Sequence, residues 1–320
     1  MRRLVMIIVI VSVLCISGCS KTNYDTKTEN HAKKIEGMEY LYEDNPYGYY
    51  FDIYSKLSKE SVRTGIIEVN SIKENLYFFV ENAGKQREIA IQFFINYKQV
   101  PVLIEGKKYD TYYINADSKF SNEYSFQIAY PLEENTNYKL MAAMTVSSDI
   151  YTTDTSEKIA SDIYSIAYDV ILQVDSMYEL CKDKEQGYEI PKTEYNDLWE
   201  GILINNDIVE WKRSLPPKEI VCKTNEEIRL QYQVGGFDNC HCAMLILSLD
   251  MKQIDINDKN YVLFDVGDGL IENGCITIKT PKQPGSYDLT GWLVEDPFDK
   301  NSIDYIPLRA IPRFTITVVE

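Results

Sequence analysis

The sequence predicts an all-β chain built as two tandem β-sandwiches. Three observations carry this. Apolar and polar residues alternate with a period of two through most of the chain beyond residue 70, as half-buried strands require. The alternating runs fall into two sets, separated by a charged segment that contains Gly187 and Pro191. Turn residues punctuate each set at short intervals, the spacing of a sandwich.

In the first set, Leu76 to Val80 opens as a short strand. Ile89, Ile91, Phe93 and Ile95 then alternate with Ala90, Gln92, Phe94 and Asn96. Glu81 to Lys85 is the expected connection between these runs, with Gly84 free to take a positive φ. Phe126 to Tyr130 is another short strand. Tyr138, Leu140, Ala142, Met144 and Val146 share one face. Tyr164, Ile166, Tyr168, Val170, Leu172 and Val174 form the longest stripe, and their β-branched and aromatic content favours a strand over a helix. Ahead of these runs, Tyr40 to Tyr54 is crowded with tyrosine around Pro46-Tyr47-Gly48. Such ring area is expected to pack on the first sandwich as an extra strand or short helix, or else to form an aromatic ligand platform.

The second set follows Pro216-Pro217. Ile228, Leu230, Tyr232 and Val234 alternate with Glu227, Arg229, Gln231 and Gln233, and Gly235-Gly236 ends the run. Ala243 to Leu249 is continuously apolar apart from Ser248, as a strand buried on both faces would be. Ile276 and Ile278, then Tyr287, Leu289, Gly291 and Leu293, then Phe314, Ile316 and Val318 complete the set. Pro307 and Pro312 suit an edge or the start of a last strand.

Two stretches resemble immunoglobulin-like modules. Lys282 to Leu289 (KQPGSYDL) is similar to the Gly-x-Tyr-x-Leu start of a late strand in such domains. The resemblance implies that Tyr287 is a tyrosine corner, its hydroxyl bonding back to the upstream backbone. Leu76 to Ile95 (LYFFVENAGKQREIAIQFFI) resembles the paired early strands of bacterial cell-adhesion-type modules. The Cys–Trp–Cys framework of antibody domains is absent. Fold alone does not name a function.

The N-terminus reads as an address. Met1-Arg2-Arg3 is basic, and Leu4 to Ile16 is uncharged and almost wholly apolar. That run is shorter than the roughly 20 residues a spanning helix needs, and it fits a secretory signal. It ends in Ile16-Ser17-Gly18-Cys19, which resembles the lipobox of bacterial lipoproteins. The resemblance implies cleavage before Cys19, a covalent lipid on its thiol, and a mature chain held on the extracytoplasmic face of the cell membrane. Cys15 would lie in the discarded signal as a small hydrophobe. The polar stretch that follows, with His31 inside it, reads as a flexible tether. The expected organisation is signal peptide 1–18, lipid-anchored tether 19–36, first sandwich 37–180, linker 181–200 and second sandwich 201–320.

Among 320 residues, 49 acids against 33 Lys and Arg give a net charge of −16, which becomes −18 without Arg2 and Arg3. Such a surface repels nucleic acid and anionic headgroups, so no nucleic-acid partner is expected. The 25 tyrosines suit strands and also binding surfaces.

The candidate chemistry is sparse. Cys240-His241-Cys242 offers two soft thiolates and an imidazole, with Cys222 or Cys275 available to complete a zinc or copper(I) tetrahedron. In a strand, however, the two cysteines share one face and the histidine takes the other. Buried reduced thiols, or a disulfide from Cys222 or Cys275 to one of the pair, are the alternatives. No metal or other cofactor is therefore assigned beyond the lipid on Cys19. Asp255, Asn257, Asp258, Asn260, Asp265, Asp268 and Glu272 supply oxygen atoms around Gly267 and Gly269, without EF-hand spacing. Glu295 and Asp296, beside Trp292 and Phe298, are the carboxylates that would face a glycan. No nucleophile elbow, zinc-protease helix or phosphate-binding loop occurs, so no catalytic residue is assigned. The reading is a non-enzymatic binding or adaptor lipoprotein whose partners are the bilayer, through its anchor, and an extracytoplasmic protein or glycan. A carbohydrate- or metal-binding accessory protein and a cell-wall-acting enzyme are the alternatives.

Overall fold

The computed structural model describes residues 48–57, 65–134, 136–154, 165–174, 189–190, 201–207, 217–237, 240–267, 271–298 and 308–320. The lipobox, the tether, Cys181 and the first half of the tyrosine-rich stretch lie outside them. Apart from one 3-10 turn at Thr152–Asp154, the regular structure described is all strand.

The first set contributes β1 (Tyr49–Ser55), β2 (Ile66–Val69), β3 (Leu76–Ala83), β4 (Arg87–Ile95), β5 (Lys98–Gln99), β6 (Val102–Ile104), β7 (Lys107–Tyr109), β8 (Thr111–Ala116), β9 (Lys119–Ile128), β10 (Asn137–Val146) and β11 (Ser165–Val174). The second contributes β12 (Glu189–Ile190), β13 (Gly201–Asn205), β14 (Glu219–Lys223), β15 (Glu227–Gly235), β16 (Cys242–Leu249), β17 (Lys252–Ile254), β18 (Val262–Asp265), β19 (Ile271–Lys279), β20 (Gly285–Glu295), β21 (Leu308–Ala310) and β22 (Phe314–Val319).

These strands form four sheets. A five-stranded sheet (β1-β3-β9-β6-β7) faces a six-stranded one (β2-β11-β10-β4-β5, with β8 on β4). An eight-stranded sheet (β12-β18-β16-β20-β22-β14, with β17 and β21 beside it) faces a three-stranded one (β13-β15-β19). Each pair closes on its own core. Ile89, Ile91, Phe93 and Ile95 meet Phe51, Phe78 and Phe126 in the first. Leu230, Tyr232, Leu245, Leu247, Ile276 and Phe314 meet in the second. The tandem-sandwich expectation is borne out, and the stripe is a strand from Ser165 to Val174, with Ile166, Tyr168, Val170, Leu172 and Val174 turned to the first core; Tyr164 lies outside the described residues.

Three details differ from the sequence reading. β3 and β4 are not paired with each other. β3 lies between β1 and β9 while β4 lies beside β10, so the connection carries the chain from one sheet to the other. That crossing is tight: β3 runs on to Ala83 and only Gly84 to Gln86 remain, with Gly84 at φ 108°. The strand expected at 126–130 begins at Lys119 and ends at Ile128. Finally, Glu189–Ile190, inside the expected linker, pairs in parallel with β18 and so belongs to the eight-stranded sheet.

The largest departure lies on the supposed outer face of β4 and β10. Ala90, Gln92, Phe94, Met141 and Ala143 are fully buried. Phe94, Tyr97, Met141, Ala143 and Ala167 of the first sandwich pack against Met244, Ile246, Tyr261, Trp292 and Val294 of the second, forming a third apolar core. The six-stranded and eight-stranded sheets are therefore back to back, and the four sheets form one stack. Burying a large apolar side chain contributes about 1.5–3 kcal/mol, so a seam of this composition is a substantial adhesive term.

Candidate functional site

Cys240, His241 and Cys242 sit where the chain enters β16. Cys240 precedes the strand and is buried in the second core; His241 is exposed; Cys242 is half-buried. Burial, reinforced by the charge of Asp296, pushes the Cys240 thiol up to about 12. Burial likewise raises the Cys222 thiol, aided by Glu226. Cys222, Cys240, Cys242 and Cys275 are all free thiols, which removes the disulfide alternative for these four. Among the described residues no three His, Cys, Asp or Glu side chains gather as a metal site.

Glu295 and Asp296, the candidate glycan-facing carboxylates, have structural partners. Asp296 Oδ1 accepts the backbone N–H groups of His241 and Cys242 at 2.9 and 3.0 Å, and its own N–H donates to the Cys242 carbonyl at 2.7 Å. Glu295 Oε1 pairs with Arg309 Nε at 2.8 Å. Trp292, the nearby aromatic residue, is fully buried in the seam and edge-on to Phe94. The acid-rich stretch disperses as well. Asn257 and Asp258 have φ near 52° and 61° in a turn, where the Asn257 side chain accepts the Thr277 N–H. Glu272 is buried and accepts the Tyr232 hydroxyl at 2.7 Å. Asp268 lies outside the described residues. Tyr287 donates to the Gln283 carbonyl at 2.9 Å, as a tyrosine corner should.

The structure assembles two regions that the sequence did not single out. The first is the polar frame of the seam. Gln99 and Gln253 clasp reciprocally: the backbone N–H of each donates to the side-chain carbonyl of the other at 2.6 Å. The β16–β17 hairpin turns through Asp250 and Met251, both at positive φ (47° and 59°) without a glycine. Its Met251 carbonyl accepts Gln92 Nε2, Gln99 Nε2 and Thr111 Oγ1 at 2.8, 3.1 and 2.7 Å, all from the first sandwich. A left-handed pair of L-residues costs on the order of 1–2 kcal/mol each, and these three donors hold it in place. Tyr97 Oη donates to the Pro297 carbonyl at 2.8 Å. Alternating Gln and Phe on β4 was the signal available for this seam, since Ala90 and Phe94 are out of character for a wet face.

The second region is the outer face of the five-stranded sheet. Phe51 and Ile53 point into the first core, so Tyr50, Asp52 and Tyr54 point away from it. Register places them opposite Glu81, Phe79 and Tyr77. Tyr54 stacks on Tyr77 with centroids 5.8 Å apart and planes 16° apart, and Lys56 Nζ lies 5.7 Å above the Tyr77 ring. The Tyr54 hydroxyl donates to Glu123, and Tyr50 donates to Asp52 at 3.1 Å. Burial, with the Glu123 carboxylate beside it, raises the Tyr54 phenol well above its ordinary range. Burial also raises the Glu81 carboxyl. The described half of the tyrosine-rich stretch is thus both a packing strand and one edge of an aromatic, acidic face.

No protein-family model matches the chain, and no curated protein matches it. Among solved structures it aligns with the CsuC–CsuE chaperone–tip adhesion subunit complex from Csu pili of Acinetobacter baumannii, at 12% identity over 85% of this chain and 100% of that chain, TM-score 0.23. It aligns with the C-terminal domain of the Streptococcus pyogenes antigen I/II-family protein AspA at 7% identity over 85% and 100%, TM-score 0.22. The E. coli chaperone DraB matches at 8% identity over 85% and 97%, TM-score 0.22. Scores this low establish no shared arrangement, and the sandwich assignment rests on the strand pairing described above.

Proposed function

We propose that this chain is a lipid-anchored, extracytoplasmic binding protein without catalytic activity, and that its contact surface is the tyrosine and carboxylate face of the first sandwich. The observation that carries the reading is the half-buried set Tyr50, Tyr54, Tyr77 and Glu81 with the exposed Glu123 on neighbouring strands, flanking the buried Asp52 and Phe79. The inner sheets of the stack bury their outward faces in the seam, so the broad faces of the molecule belong to the two outer sheets. Tyrosine presents large, rigid contact area with a polar tip, which suits recognition of a protein surface. The basic start, apolar run and Ile16-to-Cys19 lipobox support the anchor on Cys19. A glycan is the second reading, favoured by the stacked Tyr54–Tyr77 pair.

Crosslinking the anchored protein in its native membrane, followed by mass spectrometry, tests this. The expected result is one reproducible partner that disappears in a Tyr54→Ala, Tyr77→Ala double variant of unchanged stability. A Cys19→Ala control should lose acyl labelling and leave the membrane fraction. A partner retained by the double variant contradicts the surface; unchanged acyl labelling contradicts the anchor. Binding of the same face to a glycan array, with no crosslinked protein, selects the second reading.

A further inference from the structure

Arg313, just ahead of β22, is the one described side chain that joins a buried carboxylate of the second sandwich to a loop of the first. Its Nε and Nη2 lie 2.8 and 2.6 Å from Asp288 Oδ2. Its Nη1 donates to the Val146 carbonyl at 2.8 Å, and Nη2 reaches the Ser147 and Ile150 carbonyls at 3.3 and 3.2 Å. Both partners are buried, Asp288 at 1% and Arg313 at 8% exposure. A second carboxylate adjoins them. Asp250, exposed at the mouth of the site, accepts the Asp288 N–H at 2.7 Å through Oδ1, and its own N–H donates to the Asp288 carbonyl at 2.9 Å.

We propose that Asp250, Asp288 and Arg313 form a proton-tuned latch that grips the seam more firmly as the surroundings turn from neutral to mildly acidic. The one guanidinium pairs with Asp288 alone, and Asp250 adds a second carboxylate beside it, which leaves a negative charge in excess at a site whose inner member is out of water. Asp288 Oδ1 is buried and receives no hydrogen bond from the described residues, so it is the atom that takes the proton, while Oδ2 stays on Arg313. The first sandwich faces the cluster with three backbone carbonyls from the loop that also carries Asp149. Beyond Asp250 lie Tyr113, Tyr151 and Glu88, which add no positive charge.

The electrostatics agree with this geometry. Burial, only partly offset by Arg313 and reinforced by Asp250, pushes the Asp288 carboxyl up to about 6. A carboxyl that binds its proton more readily in the closed seam than in water stabilises the closed seam in acid. That contribution is complete below the ordinary carboxylate range near ~4 and is lost as pH rises through about 6.

Hydrogen exchange of the full chain at pH 7.5, 6 and 5, corrected for intrinsic exchange, tests the latch. Peptides covering Met144 to Ile150 and Arg313 to Thr317 should gain protection about tenfold from pH 7.5 to 5. Asp288→Asn should flatten that rise, and its protection at pH 7.5 should match or exceed that of the native chain. Protection that is flat or falling toward pH 5 in the native chain overturns the proposal, as does a full rise retained by Asp288→Asn. Should Asp288→Asn not fold, Asp250→Asn decides: a smaller rise supports the latch, and an unchanged rise overturns it.

Discussion

Asp296 illustrates how a residue chosen for one chemistry performs another. Its carboxylate accepts two successive N–H groups where the chain enters β16, and so fixes the start of a strand buried on both faces. Its φ of 40° adds local strain that those bonds offset. Asp296→Ala should therefore destabilise the protein by about 1–3 kcal/mol, the cost of orphaned backbone donors. Asp296→Asn, which keeps an acceptor oxygen, should cost clearly less. Urea denaturation of the two variants checks this; equal losses would mean that charge, not capping, is the role. At the same scale, burial keeps Cys240 a thiol and the hydrogen bond of Tyr287 fixes a turn. Neither burial nor partner can be read from residue type alone, which is why the Cys240-His241-Cys242 spacing suggested a metal.

At the scale of the element, the core-facing side of the long strands was legible. Period-two stripes such as Ile89, Ile91, Phe93 and Ile95 fill the cores because pleating sends alternate side chains to one face. The opposite face was misread on β4 and β10. Gln92 looked like a solvent residue, yet it donates to Ser248 Oγ at 3.2 Å and to the Met251 carbonyl, so burial and polarity coexist there. The four strands between residues 98 and 116 were not anticipated; three of them are two or three residues long, too short to carry a period. The outer tyrosine face was half visible as a tyrosine run, but its partners Tyr77, Glu81 and Glu123 come from strands remote in sequence. Glycines at close approaches were not singled out either. A Cβ on Gly291 would stand 2.4 Å from the Ile246 carbonyl oxygen and 2.7 Å from Leu247 Cδ2, so β20 can lie against β16 only without a side chain there. Gly291→Ala should cost about 1–3 kcal/mol by thermal melting, with a native-like fold retained; an unchanged melting temperature would show that the strand pair is looser than described.

At the scale of the molecule, the sequence expectation of two modules joined by a linker gives way to two sandwiches fused through a third core. Trp292 and Phe94 lie edge to face within it, centroids 5.6 Å apart. Around them the Gln99–Gln253 clasp, the Met251 carbonyl and the Arg313 grip supply directional bonds. An apolar centre framed by directional polar bonds holds the two sandwiches in one relative orientation. Scanning calorimetry of the chain from residue 20 onward, which leaves out the proposed signal and anchor cysteine, tests the fusion most directly. The account predicts one unfolding transition whose calorimetric and van't Hoff enthalpies agree, and two separated transitions once Trp292→Ala opens the seam. Two independent transitions in the native chain would contradict it.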